Sequence, residues 1–276
     1  MGKAMEVIAG QATAPGAVLT PLTMNAGNSA QIRNADLAST VALLQTWARN
    51  NAAGIWQIRS PKMHDNVHGL RYRIPAASPQ PLIVPALWEH LIPQDTLILE
   101  LSGSAVGGQI EQAAMLHYYN DLPGSAARLI TPAELKQRTV NMWTNEIPIA
   151  PGVLGGYSGQ VAINSVFDQF KANTDYALVG YQVDVACTVV GFTSPDFANL
   201  RVGGPGLLTA RWLTSRWFIH LSEEHGIPLI PVFNSANKFA TLVDVMQDQA
   251  GAAVNVTALL HELAMPNGPL AQPALK

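Results

Sequence analysis

Charge is scarce in this chain: Asp, Glu, Lys and Arg make up 13% of its 276 residues, against about 25% in an ordinary soluble globular protein. A surface so poor in charge is expected to be covered, and subunits packed against copies of themselves have this composition. Cysteine is scarcer still. Cys187 stands alone, which excludes an internal disulfide and points to synthesis in a reducing cytoplasm. Basic runs are also missing: the Lys and Arg residues are scattered singly and the formal net charge is -3, so direct, specific nucleic-acid binding through a basic arm is not expected. The longest apolar stretch, 176–192, is interrupted by Gln182 and Asp184 and falls short of a spanning helix, so membrane insertion is not expected. The first residues lack the apolar run of a secretory signal, and Glu6 stands where a myristoylation site carries Ser or Thr, so no targeting segment is expected.

What is present is apolar and flexible in equal measure, with 48% hydrophobic residues, 22 Gly and 19 Pro. That composition belongs to a folded body with many turns rather than to a disordered polar segment. Residues 1–30, built from Ala, Gly, Thr, Asn and Pro without a sustained period, read as an extended N-terminal arm. Residues 31–263 read as a single globular body, and the prolines of 264–276 leave a C-terminal tail.

Along the body, Asn34 is a good cap for a helix running to Gly54, with Leu37, Val41, Leu44 and Trp47 on one stripe. Strands are expected at 55–59, 69–74, 96–101 and 113–119. Thr131-Pro132-Ala133-Glu134 opens a short helix, with a cap, Pro in the first turn and Glu at the third position. Residues 176–193 carry the strongest β signal, two strands meeting near Asp184 or Gly180. Gly203-Gly204-Pro205-Gly206 reads as a breaker, 207–224 as helical, and 227–233 as an edge or bulged strand because of Pro228 and Pro231. A helix over 239–247 and a strand or helix over 254–263 complete the body. No repeat of fixed period is visible.

The chemical motifs are weak. His64-Asp65-Asn66-Val67-His68 has the two-histidine spacing of a zinc protease, with Glu89-His90 downstream as a third ligand. Pro61 and Gly69 leave too little room for the required helix, and Asp is one carbon shorter than the Glu such a site uses as base. A polar turn, with Asp65 or Asn66 bonding its own backbone, is the expected reading; His64, Asp65 and His68 are the only metal candidates, and no catalytic or cofactor-binding residue is assigned. Ser158 lacks the nucleophile-elbow spacing and is expected in a loop. The 203–206 run has no Lys-Ser/Thr after it and is no phosphate loop. Cys187 is expected to be a buried, inert thiol. Trp212 and Trp217, five apart, suggest packing rather than a stacking site. Asp95, Glu100, Glu111 and Asp121 include no acid–base pair that spacing alone identifies.

Arms at both ends, charge poverty, a β-rich body, Gly/Pro-rich loops and a lone cysteine together resemble the organisation of viral or bacteriophage capsid-type structural proteins. The resemblance implies a β-rich, jelly-roll-like sandwich with several helices, or alternatively the mixed α+β coat-protein fold of tailed phages. It implies a major capsid protein, not an enzyme, without cofactors, located in the virion and partnered by copies of itself and by other virion proteins. Two other classes remain: a cytoplasmic metal-dependent hydrolase built on His64, Asp65 and His68, and a tail, spike or decoration module that docks on another shell.

Overall fold

A computed structural model describes residues 2–25, 30–33, 41–63, 65–75, 80–122, 126–248 and 251–265. Its first half contains β1 (Gly2–Thr13), β2 (Thr20–Pro21), β3 (Thr23–Met24), β4 (Val41–Arg49), β5 (Gly54–Arg59), β6 (Leu70–Ile74), β7 (Leu82–Leu91), β8 (Ile98–Leu101) and β9 (Ile110–Leu122). All pairings among them are antiparallel, in two sheets ordered β3-β1-β9-β4-β7 and β2-β8-β5-β6. Leu22 alone separates β2 from β3, so the two are one bent strand that crosses from sheet to sheet. Counting it once, the eight strands lie in the orders 1-8-3-6 and 2-7-4-5, the jelly-roll arrangement.

The second half repeats the plan. It contains β10 (Leu129–Ile130), α1 (Pro132–Arg138), β11 (Thr139–Ile149), β12 (Val161–Ala162), β13 (Asp175–Val183), β14 (Cys187–Thr193), β15 (Arg201–Gly206), α2 (Arg211–Thr214), α3 (Trp217–His225), β16 (Ile230–Asn234), β17 (Leu242–Gln247) and β18 (Val254–Leu263). The sheets are β10-β16-β13-β18-β11 and β12-β17-β14-β15, so β11 to β18 again follow 1-8-3-6 and 2-7-4-5. The chain is thus β-rich and jelly-roll-like twice over. The body expected over 31–263 holds most of both sandwiches, and the mixed α+β alternative is corrected to three short helices on a β frame.

The two sandwiches share a layer. In the sheet containing β1, β4 and β9, Met5, Val7, Ala9, Leu44, Trp47, Ala114 and Leu116 join the core of the second sandwich. The alternate residues Ala4, Ile8, Leu43, Met115 and Tyr119 close on Trp56, Ile58, Leu99 and Leu101 of the first. Burial on both faces removes the polar half of the usual strand alternation. This corrects the helix expected over 34–54: Val41–Arg49 is a strand, buried at every position but Arg49 because neither face meets water. Residues 34–40 of that expectation lie outside the described residues.

The N-terminal arm is corrected for the same reason. Gly2–Thr13 pairs with β9 from Gly2↔Leu122 to Thr13↔Ile110 and is almost wholly buried. Its small residues fit a strand pressed between layers: a Cβ on Gly10 would lie 2.9 Å from the Thr23 carbonyl oxygen and 3.0 Å from Leu22 Cβ. Of the tail, only Ala264 and Met265 are described.

Elsewhere sequence and structure agree on α1, whose Thr131 Oγ1 accepts from the Glu134 amide at 3.1 Å, and on β5, β6, β8, β9, β13 and β14. The helix expected over 239–247 is instead strand β17, buried along almost its whole length, so it too lacks alternation. β16 is not an edge, since the short β10 covers Pro231.

The expected breaker at 203–206 is β15. Its glycines are demanded by contact rather than by a turn: a Cβ on Gly204 would strike the Trp217 indole and sit 2.6 Å from the Tyr181 hydroxyl. Gly204→Ala is therefore expected to lower stability by about 1–3 kcal/mol, the usual cost of overpacking. Chemical denaturation measures it; an unchanged midpoint would show that the indole can retreat.

Candidate functional site

Among the described residues, those singled out for chemistry do not converge on one centre. His64 lies outside the described residues. Asp65 sits in an exposed turn, where its Oδ1 accepts from the amides of Val67 (3.0 Å) and His68 (2.9 Å). Those amides, His68 first, hold its carboxyl below the ordinary aspartate range. His68 Nδ1 lies 3.3 Å from Asp65 Oδ2. His90 lines an open depression of about 250 Å³ that Asp65, Lys62 and Leu70 also line. Among the described residues no three His, Cys, Asp or Glu side chains converge as metal ligands.

The other candidates have separate partners. Ser158 Oγ accepts from the Val245 amide at 3.0 Å. Cys187 is fully buried in β14, and burial holds its thiol well above its ordinary pKa. Asp95 accepts from Ser60 Oγ. Arg59 grips Glu100 with two bonds of 2.8 and 3.0 Å, and Glu111 accepts backbone amides from Asn51 and Ser104 at 2.6 and 2.7 Å. Trp217 is buried whereas Trp212 is 73% exposed. Among the described residues no helix is long and apolar enough to cross a membrane.

What the structure does build is a polar seam between the two sandwiches. Trp47 of β4 donates its indole N–H to the Thr188 carbonyl of β14 at 2.6 Å and meets the Trp217 ring edge-on at 6.1 Å. Thr188 Oγ1 donates to Gln112 Oε1 of β9, and Gln112 Nε2 donates to the Gln247 carbonyl of β17 at 2.8 Å. The Gly155 amide also reaches the Gln247 carbonyl, at 2.8 Å, while Asn25 of the first sandwich donates to the Gly155 carbonyl. Buried polar groups in an apolar joint are costly unless paired, so this chain fixes the register of one sandwich on the other. Sequence reading missed it. The available signal was Gln112 and Thr188, whose polar side chains sit inside largely apolar strands.

Two ionic clusters are built around buried carboxylates. In the first, Glu6 Oε1 accepts from Arg33 Nε at 2.9 Å, Glu6 Oε2 accepts from Tyr119 at 3.0 Å, and His117 Nε2 lies 2.8 Å from the Tyr119 oxygen. Burial pushes the Glu6 carboxyl up, but His117 and Arg33 outweigh it and the net shift is downward. In the second, Asp175 accepts from Arg128 Nη1 at 3.0 Å and from Asn234 Nδ2 at 2.8 Å, with Arg138 Nη2 at 3.4 Å. Burial raises this carboxyl too, and the guanidinium and amide donors bring it below the ordinary range.

The outer surface offers strand edges. β7, ten residues long, ends the five-stranded sheet of the first sandwich, and β11, eleven residues long, ends that of the second. β11 turns Val140 and Met142 outward, and Phe167, Phe239, Val153 and Trp212 are also exposed. Natural monomers shorten or charge such edges; long edges beside apolar side chains are sites for a neighbouring chain.

No family model matches the chain, and no curated protein matches it. Three solved structures are similar at a low level. The PBSX exported protein XepA is 11% identical, with 90% of this chain and 88% of that chain covered and a TM-score of 0.20. The major capsid protein P2 from Bacteriophage PM2 is 6% identical, with 96% and 99% covered and a TM-score of 0.25. The third is a chain of Sulfolobus Turreted Icosahedral Virus, 10% identical, with 96% and 92% covered and a TM-score of 0.21. At these TM-scores the fold assignment stands on the strand order within this chain and not on the neighbours.

Proposed function

We propose that the chain is a structural subunit of a closed protein shell, a major capsid protein that assembles with copies of itself and resides in the virion. The observation that carries this reading is the pair of like-ordered sandwiches welded through a sheet buried on both faces. Such a block is rigid, and closed assemblies need rigid tiles that repeat one interface many times. Jelly rolls also serve lectins and cupins, so the fold alone does not decide. What favours the structural role is that Trp56, Ile8, Met115 and Tyr119 pack the inside of the first sandwich and Tyr181, Phe192 and Phe233 that of the second, where a ligand-binding roll keeps a cavity. The low charge content and the long edges of β7 and β11 fit a surface that neighbours cover.

Purified protein is expected to form large, uniform homomeric particles, visible by light scattering and negative-stain microscopy at micromolar concentration. A monomer stable across salt and concentration would remove the shell reading. It would favour instead a decoration module that needs another protein's lattice.

A further inference from the structure

At the end of the seam lies a carboxylate that the described residues around it do not satisfy. Asp248 follows β17, and its side chain is 1% exposed. Neither of its oxygens accepts a hydrogen bond from another described residue. Its nearest cation is Arg49 at the end of β4 in the other sandwich, with Nε 3.8 Å from Oδ2, an ion pair without a hydrogen bond.

The surrounding charges leave that carboxylate as the weak point. Arg49 Nη1 donates to Asn51 Oδ1 at 3.1 Å. Asn51 in turn donates to Glu111 of β9, the second buried acid of this corner, from its backbone amide at 2.6 Å and its side chain at 3.3 Å. The Ser104 amide completes Glu111 at 2.7 Å. From β14, Cys187 contributes no charge because burial keeps its thiol protonated, and Asp184, in the turn before β14, is occupied by the Asn255 amide at 2.7 Å. Arg49 therefore lies beside Asp248 without a hydrogen bond and is linked to Glu111 only through Asn51, and of the two buried acids only Glu111 has hydrogen-bond donors among the described residues.

We propose that Asp248 is a proton-operated latch on the joint between the sandwiches: protonated in mildly acidic surroundings, it lets the seam close, and losing the proton at neutral pH loosens it. Burial raises the Asp248 carboxyl to about 6, against the pull of Arg49. Because the folded value lies above the unfolded one, the stabilisation is full below the unfolded value and is lost as pH rises through about 6. The latch does not depend on the shell reading, since both partners lie within one chain.

The test compares the full-length protein with Asp248→Asn, which keeps the shape and cannot ionise, by denaturant unfolding at pH 5 and pH 7.5 in the same assembly state. The wild-type folding constant should fall by about tenfold relative to the variant between the two pH values. Parallel pH profiles of the two proteins would overturn the proposal. Infrared spectroscopy of wild type alone serves if the variant does not fold. A protonated-carboxyl band that fades near pH 6 is expected, and no carboxyl titrating between pH 5 and 7 would overturn the latch. Hydrogen exchange at Gly155 and Gln247, corrected for intrinsic rates, should show more opening at pH 7.5; equal protection would place the effect outside the seam and also overturn it.

Discussion

A chain lacking residues 2–13 is expected not to fold. β1 lies second in its sheet, holds one side of β9 through the whole length of the strand, and buries Met5, Val7 and Ile8 completely or nearly so. Those three side chains alone represent about 5–9 kcal/mol of burial at roughly 1.5–3 kcal/mol each. Domains have only about 5–15 kcal/mol of net stability to lose. The deletion also strips both layers at once, because Met5 and Val7 face one core and Ile8 the other, and it removes Glu6, the acceptor for Arg33 and Tyr119. Far-ultraviolet circular dichroism and a melting curve decide the matter. A truncated protein with a native spectrum and a cooperative melt would return the segment to the status of an arm that serves a neighbour.

That segment also shows where sequence reading stops. Elements exposed on one face were legible: β6 alternates, and α1 carries a cap and a turn signal that local chemistry fixes. Strands β1, β4 and β17 were misread as arm or helix because burial on both sides erases the alternation that distinguishes them. The glycines of β15 pointed to a break, yet they answer to Trp217, Tyr181 and Cys187 across the sheet, partners that no local window contains. The doubling of the jelly roll was hidden as well. The two halves share strand order but no periodic residues, since a sandwich constrains which positions are apolar more than which side chains fill them. Of the candidate site, Asp65 was placed in the expected kind of turn. The seam went unseen because Trp47, Gln112, Thr188 and Gln247 are brought together only by the packing of one sandwich on the other.

Trp47 is where that packing can be tested with a single side chain. It is fully buried, crosses from the first sandwich into the core of the second, and holds both the Thr188 carbonyl and the edge of Trp217. Trp47→Ala is expected to cost about 3–5 kcal/mol, the range for deleting a large buried aromatic. Trp47→Phe keeps an aromatic ring and loses the N–H donor, so it should cost less, about 1–3 kcal/mol for the carbonyl left without it. A double-mutant cycle with Trp217 should give a coupling of about 0.5–1.5 kcal/mol for the edge-to-face pair. Wild type should unfold in one transition, because neither sandwich keeps a covered sheet without the other, whereas Trp47→Ala should broaden or split it. If wild type already unfolds in two steps, or if Trp47→Ala leaves the denaturation midpoint in place, the shared sheet is a contact between independent units and the rigid tile on which the shell reading rests is lost.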